Sequence, residues 1–221
     1  MRNDGSSAAG RRSYSKKMAR NTAYNLFGAA WSMLLTFVTM PFIVHRMGTD
    51  QYGLLTLVMV VAGYFTFLDM GMGVAIIKHL AERRDGEVTP RRDGVMIGTA
   101  LTANAVAGAI GAAALALGAV RITAWVGVPD AIRHEAVSAF RICSLIFFIN
   151  MLAAVFLAIP QSQQRFDVLN RVRVVIQTIQ TAGVVGLLAL GRGLMSVLWL
   201  FAATAMLSCA YYMWVSRRLM P

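Results

Sequence analysis

Six uncharged, apolar stretches alternate with short polar segments, at residues 21–44, 51–68, 94–120, 142–164, 174–191 and 193–216. A bilayer's hydrocarbon core is about 30 Å thick and takes roughly 20 helical residues to cross, and only helices or closed barrels satisfy their backbone there. The stretches lack the period-two alternation of barrel strands. The pattern therefore predicts an all-α fold, a polytopic membrane bundle with six transmembrane helices at about 21–45, 51–80, 94–120, 131–160, 170–191 and 193–216. These make one lobe over residues 21–218, preceded by a basic cytoplasmic tail over residues 1–20 that is polar, Ser- and Gly-containing and expected to be mobile.

Composition agrees. Hydrophobic residues make up 57% of 221 positions and the mean hydropathy is +0.61, too apolar to hide inside one soluble core. The net charge of +11 raises the question of nucleic acid. Placement answers it, because the cations follow the loops. Sixteen of the 21 Lys and Arg residues fall before the first stretch, between the second and third, between the fourth and fifth, or after the last. Only Arg46, Arg121, Arg133, Arg141 and Arg192 fall on the other side. The positive-inside rule puts both termini in the cytoplasm, and the excess charge is a topology signal with attraction to anionic membrane lipids, so no nucleic-acid partner is implied.

The first stretch continues past Pro41 with no cleavage site and is expected to be an uncleaved signal anchor. Cys143 and Cys209 lie inside apolar stretches, where a free thiol acts as a small hydrophobe. Short loops predict antiparallel neighbours. In the outer loop, Pro129 ahead of Asp130 predicts the start of the fourth helix with its cap. Along the third, Ala100, Asn104, Gly108, Ala112 and Ala116 recur every four residues, a small-residue stripe expected to pack closely and to put that helix at the bundle centre.

Enzyme chemistry is not legible. His45, His79 and His134 are scattered with no ligand spacing, so no metal and no cofactor is expected. There is no Gly-x-Ser-x-Gly elbow and no phosphate-binding glycine loop after a strand, so no catalytic residue is assigned.

Polar groups within the apolar stretches remain. Asp69 stands about 24 Å beyond Gly53 at 1.5 Å per residue. A lipid-facing carboxylate there costs about 2.5 to 3.5 kcal/mol, so it should face a cavity, pair with a cation, be protonated, or snorkel to a helix end. Gly71 and Gly73 follow it and, like Pro41 in the first stretch, are candidate helix breaks. Asn25, Thr36, Asn104, Asn150, Gln177 and Gln180 could line a substrate pathway or join helices by hydrogen bonds. Arg20 and Lys78, at the cytoplasmic ends of the first two helices, could attract an anionic substrate or anchor to headgroups.

Three segments carry a family resemblance. Thr39-Met40-Pro41 with Arg46-Met47-Gly48-Thr49-Asp50-Gln51-Tyr52-Gly53-Leu54 resembles the end of helix one and start of helix two in bacterial polysaccharide-repeat-unit flippases, of the multidrug, oligosaccharidyl-lipid and polysaccharide exporter superfamily. Leu68-Asp69-Met70-Gly71-Met72-Gly73, continuing through Lys78 to Ala81-Glu82, resembles that family's Asp-Leu-Gly-Leu-Gly segment. Gln164-Arg165-Phe166-Asp167, with Asn170, resembles its cytoplasmic turn between helices four and five. The resemblance implies a carrier that moves a lipid-linked sugar repeat across the cell inner (plasma) membrane, with the headgroup in a central cavity and the lipid tail outside. Members of that family have two six-helix lobes, so the chain is expected to be an amino-terminal half, truncated or split, or to pair with a second six-helix lobe or as a homodimer. A drug or cation exporter of the same superfamily and a non-transporting membrane scaffold subunit are the competing functions.

Overall fold

The computed structural model describes residues 4–65, 74, 77–78, 90–163 and 165–219. It is all-helical: α1 (Asp4–Phe65), α2 (Pro90–Trp125), α3 (Asp130–Ser162), α4 (Phe166–Ala189) and α5 (Leu194–Leu219). Each of the five contains a run long and apolar enough to cross a membrane.

The first is two helices meeting at Gly48, whose φ of 78° and ψ of 163° are non-helical. Only a residue without a β-carbon adopts that backbone at little cost. Thr36 and Tyr52, on opposite sides of it, line the same cavity of about 150 Å³. A straight helix would hold them about 24 Å apart, so the chain folds back across Gly48. Pro41 lies seven residues earlier, inside the helix. The amino-terminal arm also begins sooner than the composition suggests. Residues 4–20 are helical, where a mobile tail is expected from the sequence; the segment has no proline, and Ala, Arg, Lys and Met are good helix formers.

The bundle centre is α3, which packs on all four other helices, most extensively on α2 and α5. This corrects the expectation that the small-residue helix, α2, is central. Among the described residues α2 packs chiefly on α3, and its far side shows Val106, Ile110 and Leu117 to the surroundings. Small residues let one neighbour approach closely; they do not supply a second face.

α3 begins at Asp130 after Pro129, as the loop sequence predicts, but no side chain caps it. Asp130 instead pairs with Arg133 at 2.7 Å, a helix turn on. α4 and α5 are joined by a tight turn: Gly191, with φ 71°, lets its own N–H reach Leu188 O and the Arg192 N–H reach Leu187 O, at 3.1 and 2.9 Å. These bonds satisfy carbonyls the helix end would leave bare, and the turn keeps α5 beside α4.

One core joins the helices. Leu54, Val58, Leu115, Phe140, Phe147, Leu188, Leu194 and Leu198 are buried in it. Cys143 lies there as a free thiol, its Sγ 3.9 Å from Val58 O. By contrast Leu26, Phe27, Leu34 and Val38 on α1 are 56–69% exposed, an apolar surface suited to lipid.

Candidate functional site

Two adjoining cavities open between the amino-terminal arm of α1 and α4. The larger, about 590 Å³, is lined by Ala29, Ser32, Met33, Thr36, Phe37 and Met40 of α1 and by Arg173 and Gln177 of α4. The smaller shares Thr36, Met40 and Gln177 and continues past Thr39, Ile43, Gln180, Thr181 and Val184 to Tyr52 and Phe201. Together they form one groove. Its walls follow from helix periodicity: positions 29, 32, 33, 36, 40 and 43 share one face of α1, and 173, 177, 180, 181 and 184 share one face of α4.

Contacts away from the groove set the helix spacing. Trp31 Nε1 donates to Thr178 Oγ1 at 3.1 Å, and Thr178 in turn donates to Val174 O at 2.7 Å. Nearer the start of α4, the buried Asn170 side chain rests directly on Gly28. On the other flank of α4, Leu200 of α5 fills the space that a β-carbon on Gly183 would need.

The lining is amphipathic. Thr36 and Thr39 give their hydroxyl protons to Ser32 O and Leu35 O, at 2.9 and 2.6 Å, and face the groove as acceptors. Gln177 and Gln180 are half-buried, and neither side chain is hydrogen-bonded to another described residue. Each amide therefore offers both a donor and an acceptor to an occupant. Met33, Phe37 and Met40 supply apolar wall, and among the described residues Arg173 is the one ionisable side chain lining the larger cavity. Such a groove can hold a polyhydroxylated or amphiphilic molecule by hydrogen bonds and apolar contact, with an anionic group at the Arg173 end. Among the described residues no group of His, Cys, Asp and Glu is placed to hold a metal.

Of the residues singled out from the sequence, Gln177 lines both cavities, with Thr36 and Gln180 beside it. Asn150 is exposed on α3 and lines neither cavity. Lys78 is helical and exposed, also away from the lining. Arg20 and Asn25 are on the helical backbone of α1, but their side chains are outside what the structure describes. Asp69, Gly71 and Gly73 lie outside the described residues. Asn104 is buried between α2 and α3, its Nδ2 donating to Met151 O at 3.2 Å, which is a helix-joining role.

Ser32, Thr39, Tyr52, Arg173 and Thr181 line the groove as well, beyond the pathway residues expected from the sequence. A four-residue step from Arg173 to Gln177, and another to Thr181, puts these polar positions on one face of α4, and that periodicity was the available signal.

The sequence matches the model of one protein family, described as polysaccharide biosynthesis protein, over residues 18–220. A relative from Shigella flexneri named "Putative O-antigen transporter" is 23% identical over 154 residues, covering 68% of this chain and 35% of that protein. The chain thus spans about a third of the length of the curated relative it matches. No solved structure matches.

Proposed function

The chain belongs to the polysaccharide biosynthesis protein family, and from that premise we propose that it is one lobe of a transporter that flips lipid-linked oligosaccharide repeat units across the bacterial inner membrane. The observation that carries this reading is the groove between α1 and α4. Gln177 and Gln180 offer unclaimed amides there, and Thr36 and Thr39 offer acceptor oxygens. Sugar hydroxyls both donate and accept, which is the chemistry these groups match.

In this reading the lobe crosses the membrane six times with both termini in the cytoplasm. The run Leu26–Tyr64 has 39 residues, about 58 Å of helix at 1.5 Å per residue, roughly twice a hydrocarbon core. Gly48 divides it into two passes. The positive charge then falls largely on one side, the cytoplasmic one.

The groove is open along one side, so a second six-helix lobe or a second copy of the chain would complete the pathway around it. Arg20 and Lys78 belong to its cytoplasmic mouth, and Asp69, Asn25 and Asn150 to the polar groups a substrate meets elsewhere. No bond is made or broken in the cargo, so the lobe is a carrier and not an enzyme.

The test is complementation. The chain is expressed with a second six-helix lobe of the same family in a flippase-deficient strain, and surface polysaccharide is measured. Restoration by the unmodified chain, with loss on Gln177→Leu plus Gln180→Leu at normal membrane abundance, supports the proposal. Full restoration by the double variant would remove the groove from the pathway.

A further inference from the structure

The last two turns of α5 carry a cluster that the groove does not use. Arg218 stacks on Trp214 with its Cζ 4.0 Å from the ring centroid. Tyr211 lies against the same indole, with centroids 5.8 Å apart, and against Tyr212 at 6.4 Å. Positions 211, 214 and 218 fall on one face of the helix. Trp214 is 49% and Tyr211 37% exposed, and Arg217 and Arg218 are exposed beside them.

This end of the helix is held firmly. Ser216 Oγ donates to Phe156 O of α3 at 2.9 Å, and Gln163 Nε2 donates to Leu219 O at 3.4 Å. Val215 and Ser216 are buried against that support. The cluster is therefore a fixed platform, with the aromatic and basic side chains on its open face.

The apolar run of α5 ends at this cluster, so a bilayer that accommodates the helix puts Tyr211, Trp214 and Arg218 at headgroup depth. The Arg218 guanidinium lies over the Trp214 ring, and its five N–H donors have the fork geometry that fits two oxygens of one phosphate. Arg217 adds a second positive charge one residue away. No carboxylate among the described residues pairs with either arginine; the ion pair among those residues, Asp130–Arg133, is at the start of α3.

We propose that the end of α5 is a binding site for the headgroup phosphate of an anionic glycerophospholipid, with Arg218 as the phosphate ligand, Trp214 as the surface that orients it and Arg217 as supporting charge. The proposal needs only that this helix end lie at a bilayer surface. It does not depend on what the groove transports.

Native mass spectrometry of the full chain, titrated with phosphatidylglycerol or phosphatidylcholine, tests it. Phosphatidylglycerol should bind more tightly than phosphatidylcholine in its first step. Trp214→Leu, which keeps every charge, and Arg218→Gln should each weaken that step by about three- to tenfold, the scale of one cation–π contact or more. Trp214→Phe keeps a ring and should retain more of the preference than Trp214→Leu, which separates lost stacking from a damaged fold. Arg217→Gln should cost less than Arg218→Gln. Equal binding of the two lipids would overturn the site. So would wild-type binding by Trp214→Leu alongside equal losses for the two arginine variants, because that is diffuse attraction to a charged surface.

Discussion

A β-carbon on Gly28 would collide with the amide oxygen of Asn170, so α1 and α4 meet where a larger side chain forces Asn170 to move. Asn170 is 8% exposed, and its Oδ1 has no hydrogen-bond partner. What that oxygen touches is the Cα–H side of Gly28, a weak contact of the Cα–H···O kind. The pair fixes how closely the two groove walls approach at that end.

Gly28→Ala should therefore destabilise the lobe by about 1 to 3 kcal/mol, the usual cost of overpacking a tight contact. Asn170→Ala makes room and removes a buried, unsatisfied amide, so adding it to Gly28→Ala should recover much of the loss. Thermal retention of the monodisperse peak on size-exclusion chromatography measures both. Simple additivity of the two substitutions would show that the residues do not interact as described.

The stripe on α2 shows how far periodicity reaches. Ala100, Asn104 and Gly108 are buried as their spacing suggests, but Ala112 and Ala116 are half-exposed. A four-residue step overshoots a 3.6-residue turn by about 40°, so a strict period of four drifts around the helix. Gly111, Leu115 and Ala119 take over the buried line, and Leu115 is not small, so side-chain size alone does not mark that line. The groove was legible by a different signal. Gln177, Gln180 and Thr36 stand out as polar groups in apolar runs, whereas Arg173 looks like an ordinary loop-side residue and Ser32 like a small residue within an apolar run until α1 and α4 are known to face each other. Pairing of helix faces is a tertiary fact that one chain's pattern does not encode.

Reporter fusions test the proposed topology. Fusions after Arg84, Arg165 and Arg218 should report cytoplasm, and fusions near Gly48, Val128 and Arg192 the opposite side. Gly48 is the informative position, because it is the break on which the double crossing of α1 depends. A cytoplasmic reporter at Gly48 would contradict that crossing.

Asp69 is expected to matter for transport and not for insertion. Asp69→Asn keeps shape and hydrogen bonding and removes the charge, so it should leave membrane abundance near normal and lower complementation in a two-lobe context. Asp69→Leu should lower complementation as well and can raise stability, since a buried ionisable group is often held at a cost. Full complementation by Asp69→Leu would make it a packing or snorkelling residue.

In the proposed function, lipid-linked oligosaccharide passes along the groove between α1 and α4. A photo-crosslinking amino acid at Gln177, with a second lobe co-expressed and the sugar radiolabelled in cells, measures this directly. Leu117, 84% exposed on the far side of α2, is the control position. A labelled adduct is expected at Gln177 well above that at Leu117, and it should be lost when synthesis of the lipid-linked sugar is blocked. Equal labelling at the two positions, or none at Gln177 while complementation is intact, would contradict it.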